Sequence, residues 1–105
     1  MSYTKATYTD GNERAEGMYF LRETLGCDNL GVTVVDVEEG WAGMEHDHDD
    51  RDHEEVYYLT DGAVTLVVDD EEVAMEPGDA VRVDPASSRR LHADAASTLV
   101  VAGAP

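Results

Sequence analysis

The chain has 105 residues, a length that suits one domain with a single core and is too short for two. Its formal net charge is −17, because 24 Asp and Glu residues stand against seven Lys and Arg residues. A surface this negative repels nucleic acid and anionic membranes, since both need positively charged partners.

The chain begins with a polar stretch, residues 1–17, which predicts an extended arm or a loosely packed edge. Residues 18–25 are ambiguous between a strand and a short helix. After them, apolar and β-branched runs bounded by turn residues predict strands at 32–37, 56–60, 63–68, 71–75, 80–83 and 98–102. Asp61-Gly62 predicts a tight hairpin, and Asp69-Asp70 and Pro77-Gly78 predict two further turns. About seven short strands of this kind predict one all-β domain, an antiparallel sandwich or barrel.

The segment Glu45–Glu55 carries the strongest chemical signal. It has no apolar residue in eleven positions, and it holds three of the four histidines, His46, His48 and His53. Histidine nitrogens and carboxylate oxygens are the ligands that borderline divalent metals take. Side chains two positions apart on a strand point to the same face, so His46 and His48 could share one target. The segment is therefore a candidate metal site, and the alternative is a solvated acidic loop.

The order of several residues resembles the first sequence motif of the cupin superfamily: Gly40, His46, His48, Glu55 and Gly62. Residues 76–79 (Glu-Pro-Gly-Asp) are similar to the second motif, and the resemblance covers residues 32–101. It implies a double-sheet jelly roll, a small antiparallel β-barrel, whose core is residues 32–101. The single domain is then residues 1–105, with residues 1–17 as its N-terminal arm. The resemblance also implies a homodimer.

By this resemblance, His46, His48 and Glu55 are three of the four usual metal ligands of the family. The fourth, a histidine, falls on Arg89, whose guanidinium cannot ligate a metal. His92 is nearby, but in a regular strand it faces the opposite way from Arg89. A site with three ligands and open positions could hold one divalent ion (zinc, iron, manganese or nickel) and act on a small polar or anionic molecule.

In a second interpretation, the protein binds no metal and catalyses no reaction. Arg89 replaces the charge of the metal, pairs with Glu55 and binds a small polar or anionic ligand, since a guanidinium suits carboxylate and phosphate groups. The wall and rim of this cavity are then formed by Tyr57, Trp41, Met44 and His53. The sequence leaves an enzyme and a sensory or binding protein equally open.

The acidic residues are spread along the whole chain, which favours adaptation to a salty cytoplasm, as in salt-requiring archaea. The alternative is an acidic protein that awaits a basic partner. Cys27 is the single cysteine, so no internal disulfide can form, which suits a reducing compartment. We find neither a signal-peptide pattern nor an apolar run near the roughly 18 residues of a membrane span. We therefore expect a soluble cytoplasmic protein.

Overall fold

The computed structural model describes residues 2–47 and 53–105. Within these residues the chain forms two antiparallel sheets, of six strands in the order β1-β2-β3-β9-β4-β7 and of three strands in the order β6-β5-β8. The strands are β1 (Asn12–Ala15), β2 (Met18–Phe20), β3 (Gly31–Val37), β4 (Glu54–Asp61), β5 (Val64–Val68), β6 (Glu71–Met75), β7 (Ala80–Val83), β8 (Arg89–Ala93) and β9 (Ser97–Ala104). One turn of 3-10 helix (Tyr8–Asp10) precedes β1, and one short helix, α1 (Arg22–Leu25), follows β2. The predicted all-β, double-sheet jelly roll is confirmed.

The core lies between the two sheets and is built by alternation along the strands. On β4, Glu55, Tyr57 and Leu59 face inward, and the residues between them are exposed. The side chains of both sheets meet in one cluster, and its members that are fully buried include Val35, Leu59, Leu66, Met75, Val83 and Leu99. Because this face is buried, a register slip of one residue on β4 would bring polar side chains into the core.

The β-branched and apolar runs predicted their strands within one or two residues. The predicted turn at Asp69-Asp70 is confirmed, since β5 and β6 pair directly across it. Asp69 and Asp70 have φ of 48° and 70°, the left-handed conformation that a two-residue hairpin of the mirror-image type requires. The ambiguous segment 18–25 contains both alternatives, because β2 ends at Phe20 and α1 begins at Arg22.

The hairpin predicted at Asp61-Gly62 is wrong. Strand β4 pairs with β7 and β9 in the larger sheet, whereas β5 pairs with β6 and β8 in the smaller one. Gly62 instead lies where the chain passes from one sheet to the other. Its φ is +96°, and a Cβ built there would lie 2.3 Å from the carbonyl oxygen of Ala96 and from Oγ of Ser97. The glycine permits a close crossing of two chain segments rather than a hairpin turn.

Replacing Gly62 with alanine should therefore cost more than the backbone strain alone. We expect a loss of about 2–4 kcal/mol of stability, from positive φ and from the overlap with Ala96 and Ser97. Gly78→Ala is the matched control, since Gly78 has a φ of +97° and no neighbour within 4 Å of a built Cβ. It should cost only about 1 kcal/mol. Equal losses in urea unfolding of the two variants would contradict this account of Gly62.

The sequence did not predict two features near the site. The residues 12–20 form a hairpin, β1 with β2, that becomes the edge of the larger sheet. Strand β8, at residues 89–93, was missed because it begins with two arginines and carries few apolar residues. Among the residues that the structure describes, no helix is long and apolar enough to cross a membrane.

Candidate functional site

Backbone pairing places His46 beside Arg89. The amide of His46 donates to the carbonyl of Arg89 at 2.9 Å, and the amide of Arg89 donates back to His46 at 2.8 Å. A second bridge joins Ala42 to His92, so residues 42–46 run antiparallel along β8. Two segments that are distant in sequence are thereby held at one point of the barrel, and His46 meets the position where the cupin resemblance places the fourth metal ligand.

Glu55 is the centre of a polar cluster at this point. Nη1 of Arg89 donates to Oε1 of Glu55 at 2.8 Å, and the hydroxyl of Tyr57 donates to the same oxygen at 2.9 Å. Nε2 of His46 lies 3.9 Å from that oxygen. Glu55 and Tyr57 are two positions apart on β4, so both side chains point inward. Arg89 meets them from the facing sheet. Among the described residues, this carboxylate oxygen therefore has two hydrogen-bond donors and a nearby imidazole.

Arg89 is fully buried, with 0% of its surface exposed. Its Nε donates to the carbonyl of Ser87 at 3.1 Å, and its Nη2 donates to the carbonyls of Ser87 and Asp84. The turn between β7 and β8 therefore encloses the guanidinium, and Glu55 supplies the countercharge. A buried cation is tolerated only when it is paired and hydrogen-bonded in this way. The role that the geometry gives Arg89 is to hold and neutralise Glu55.

The described residues do not fit a divalent metal. Across residues 2–47 and 53–105, no three His, Cys, Asp or Glu side chains converge so as to hold an ion. His46 and Glu55 supply two donors, and the favoured oxygen of Glu55 is already engaged by Arg89 and Tyr57. A fixed guanidinium beside that oxygen opposes a second cation. His48, the third predicted ligand, lies outside the described residues, so the predicted set of three ligands stays a prediction.

A cavity of about 460 Å³ opens beside the polar cluster. Its walls are mostly apolar, and its polar groups include His46, Glu55, Tyr57 and Arg90. The apolar part is lined by Met18, Phe20, Val35, Trp41, Ala42, Met44, Leu91 and Val101. A volume of this size and an apolar lining with few polar groups are typical of small-molecule sites, which span about 300–1,000 Å³. We call it the larger cavity.

A smaller cavity of about 270 Å³ lies on the other side of Glu55. It is lined by charged and polar side chains together with Phe20 and two glycines. The charged and titratable residues are Arg14, Arg22, Glu23, His53 and Glu55. Phe20, Thr33, Glu55 and Val101 line both cavities, so the two cavities adjoin each other along these four residues, their shared wall.

The sequence profile of the cupin domain family matches residues 33–102. The chain belongs to the cupin family. No protein with a curated description matches the chain. Solved structures do: a cupin protein from Bacteroides fragilis superposes with a TM-score of 0.83 at 19% identity, over 99% of this chain and 85% of that one. The KdgF structure from Halomonas gives 0.74 at 19% identity, over 97% and 94%. These two likenesses show the fold.

A third similar structure is a sugar phosphate isomerase of the cupin superfamily from Silicibacter pomeroyi. It gives a TM-score of 0.68 at 25% identity, over 90% of this chain and 63% of that one. The cupin described here thus spans less than two thirds of that protein, whereas it covers nearly all of the Halomonas structure. The resemblance in the sequence places the family's histidine at Arg89, and in this cupin the guanidinium there is enclosed by Glu55 and by the carbonyls of Ser87 and Asp84.

The predicted site residues fall into three places in this cupin. Tyr57, Trp41 and Met44 line the larger cavity together with His46 and Glu55. His53 lines the smaller cavity, and Arg89 is enclosed behind Glu55. His92 faces away, as the strand alternation predicts, and its Nδ1 lies 2.8 Å from Asp94.

Several lining residues were not predicted as site residues: Met18, Phe20, Arg14, Arg22 and Arg90. Met18, Phe20 and Arg22 lie in the segment 18–25, whose secondary structure was ambiguous, and Arg14 lies on β1, in the stretch predicted as an arm or a loosely packed edge. Arg90 lies on the strand that was missed. The sequence signal for the three arginines was the scarcity of cations, since only seven Lys and Arg residues occur in the chain.

The surroundings of the polar cluster raise the pKa values of two of its members, Tyr57 and His46. Burial raises the pKa of Tyr57, and the adjacent Glu55 raises it further, so the hydroxyl stays protonated as a donor. The hydrogen-bonding Glu55 carboxylate raises the pKa of His46 above its usual 6.5, with a smaller contribution from the Met44 carbonyl, against burial and Arg89. When it is protonated, His46 adds a positive charge at the edge of the larger cavity.

Removing the charge of Glu55 should lower the pKa of His46. In the folded protein that pKa lies above the unfolded value, so protonation of His46 stabilises the fold. This contribution is fully present below about pH 6.5 and is lost as pH rises through the folded pKa. NMR titration of the imidazole in Glu55→Gln should show the lower pKa. Glu54→Gln is the control, since Glu54 faces outward and pairs with Arg82. An equal change in both variants would refute the assignment to Glu55.

Proposed function

We propose that this cupin binds a small anionic molecule with an apolar body in the larger cavity, with the Glu55–Arg89 pair in place of a metal ion. The observation that carries the proposal is the buried ion pair, at 2.8 Å, on the side chain that the family pattern uses as a ligand. With the carboxylate neutralised from behind by Arg89, the cavity needs no metal charge to hold Glu55 in the barrel.

The charges around the larger cavity support an anionic ligand. Arg90 lines it and makes no ion pair with any carboxylate of the described residues, and His46 lies at its edge with a raised pKa. Two carboxylates line it as well, Glu45 and Glu55, and the charge of Glu55 is paired with Arg89. The apolar wall, with Trp41 and Met44, suits a hydrocarbon or ring body. The net charge of −17 repels an anion from the protein as a whole, so the positive groups at the cavity must attract it locally.

One similar structure supports the class of ligand, though not a particular molecule. The Silicibacter pomeroyi protein is a sugar phosphate isomerase, and a sugar phosphate is a small anionic molecule. Its likeness to this chain makes a small anion a reasonable class of ligand to test first. The reaction of that protein is not proposed for this cupin, because the likeness has 25% identity and covers only 63% of that protein.

Trp41 offers a direct test, because it is the single tryptophan of the chain and lines the larger cavity. A panel of small aliphatic and aromatic carboxylates should change its fluorescence saturably, while the matching amides should not. Arg90→Gln should weaken binding about tenfold, as expected for one lost charge-assisted hydrogen bond. Lys5→Gln, which removes an equal charge from the exposed arm, should leave binding unchanged.

Elemental analysis decides between this proposal and the metal-bound alternative on His46, His48 and Glu55. Protein purified without chelator in high salt, and then incubated with zinc, iron, manganese and nickel, should carry far less than one ion per chain. Near-stoichiometric metal that is lost in His48→Ala would overturn the proposal. The homodimer stays a prediction, and sedimentation measurements in molar salt would test it.

A further inference from the structure

We propose that the two cavities form one groove and that its ligand is an extended dianion, with one oxyanion held by Arg14 and Arg22 and the other by Arg90. The inference rests on the proposed function, since the larger cavity is one end of the groove. It adds a second end, a carboxylate or phosphate subsite in the smaller cavity, and thereby specifies the class of molecule.

The first argument is the shared wall. Phe20, Thr33, Glu55 and Val101 line both cavities, while Arg14 and Arg22 line only the smaller one and Arg90 only the larger. A molecule that spans the wall would pass Glu55 at its middle. A carboxylate there accepts hydrogen bonds and repels negative charge, so hydroxyl groups suit the middle of the molecule and oxyanions suit its ends.

The second argument is the floor of the smaller cavity, which is made by two glycines. Gly31 on β3 and Gly103 on β9 are directly paired, and both line the cavity. A Cβ built on Gly31 would lie 3.0 Å from Nη2 of Arg22, and one on Gly103 would lie 3.1 Å from Cγ of Glu55. The absence of both side chains leaves room for Arg22 and Glu55 to lie over the sheet, where they flank the cavity.

The third argument is the placement of scarce cations. Arg14 and Arg22 are two of seven Lys and Arg residues, and both line this one cavity. The guanidinium of Arg14 lies 5.0 Å from the ring centroid of Phe20, which orients it. Its ion pair with Glu23 is long, 3.9 Å, and exposed, so it holds the group weakly.

Arg22 completes this end of the groove. Its Nη2 donates to the carbonyl of Asn29 at 3.2 Å, and it makes no ion pair with a carboxylate of the described residues. Two guanidinium groups that keep donors for a ligand, beside a polar cavity, match what a carboxylate or phosphate needs. An acidic chain that places two of its few arginines at one cavity attracts an anion there against its overall negative field.

The test uses glutarate, adipate, pimelate and suberate, each beside its own monomethyl ester, which keeps the length and removes one charge. Trp41 fluorescence in molar KCl reports binding in the larger cavity. For at least one chain length, the dianion should bind about tenfold more tightly than its ester. In the double variant Arg14→Gln/Arg22→Gln this advantage should disappear, and in Lys5→Gln it should persist. Competition by inorganic phosphate and by acetate then shows which oxyanion the subsite prefers.

Gly31→Ala provides a second variant that removes no charge. Its Cβ would displace the guanidinium of Arg22, so the advantage of the dianion should fall while the ester binds as before. Equal binding of dianions and esters in the unmodified protein, with a clear Trp41 response to both, would overturn the groove and leave the larger cavity as the site. The groove would also be refuted by an advantage that survives the double variant. No Trp41 response to any acid would defeat the proposed function and this inference together.

Discussion

Replacing Arg89 with methionine is expected to destabilise the protein by about 3–5 kcal/mol, because it leaves a largely buried carboxylate without its countercharge. The side chain of Glu55 is only 16% exposed, and Arg89 is wholly buried. The carbonyl of Ser87 also loses its donor, and the carbonyl of Asp84 keeps only the amide of Ser87. Urea unfolding in molar KCl measures the change in the free energy of unfolding. An m-value equal to that of the unmodified protein shows that the unfolded chain is equally compact in both.

Two further variants test this explanation of the loss. Arg82→Met removes an arginine that also pairs with two carboxylates, Glu54 and Asp84, but on the exposed surface, so it should cost no more than about 1 kcal/mol. In the double variant Arg89→Met/Glu55→Gln the unpaired charge is gone, and part of the lost stability should return. Strict additivity of the two single changes would contradict a direct ion pair.

Raising the salt concentration from dilute buffer to molar KCl is expected to raise the melting temperature by roughly 10–20 °C. With a net charge of −17, repulsion among the carboxylates opposes the compact state, and molar salt screens it. A relief of about 3 kcal/mol corresponds to a shift of this size, since about 1 kcal/mol moves the melting temperature by 4–8 °C in a domain near this length. Calorimetry across a salt series measures it.

A charge-reduced variant is the control for this effect. Asp61, Glu71 and Glu72 are exposed, so changing all three to their amides lowers the charge without touching the core. This variant should melt at a higher temperature in dilute buffer and should respond less to salt. A melting temperature that does not change with salt in the unmodified protein would count against adaptation to a salty cytoplasm. It would favour the alternative, an acidic protein that awaits a basic partner.

The sequence alone was sufficient to predict the features that depend on the two-residue period of a single strand. The β-branched run at 32–37 predicted β3, and the two-residue spacing of Glu55, Tyr57 and Leu59 in the sequence matches the inward face that they share on β4. Both follow from the two-residue period of a strand, which any chain with a buried sheet face must obey. The resemblance to the cupin motifs placed Arg89 at the position of a missing histidine, and strand alternation turned His92 away from it.

The tertiary structure decided whatever depends on contacts between distant segments. Gly62 has the local signature of a hairpin, yet its close approach to Ala96 and Ser97 makes it a crossing between sheets. Residues 89–93 looked too polar to form a strand. They form β8 because Glu55 and the carbonyls of the preceding turn surround Arg89 and allow its burial. Local patterns report the preference of a segment for a strand or turn. Where a charge can be buried, and which arginines meet at one cavity, depends on partners that only the folded chain brings together.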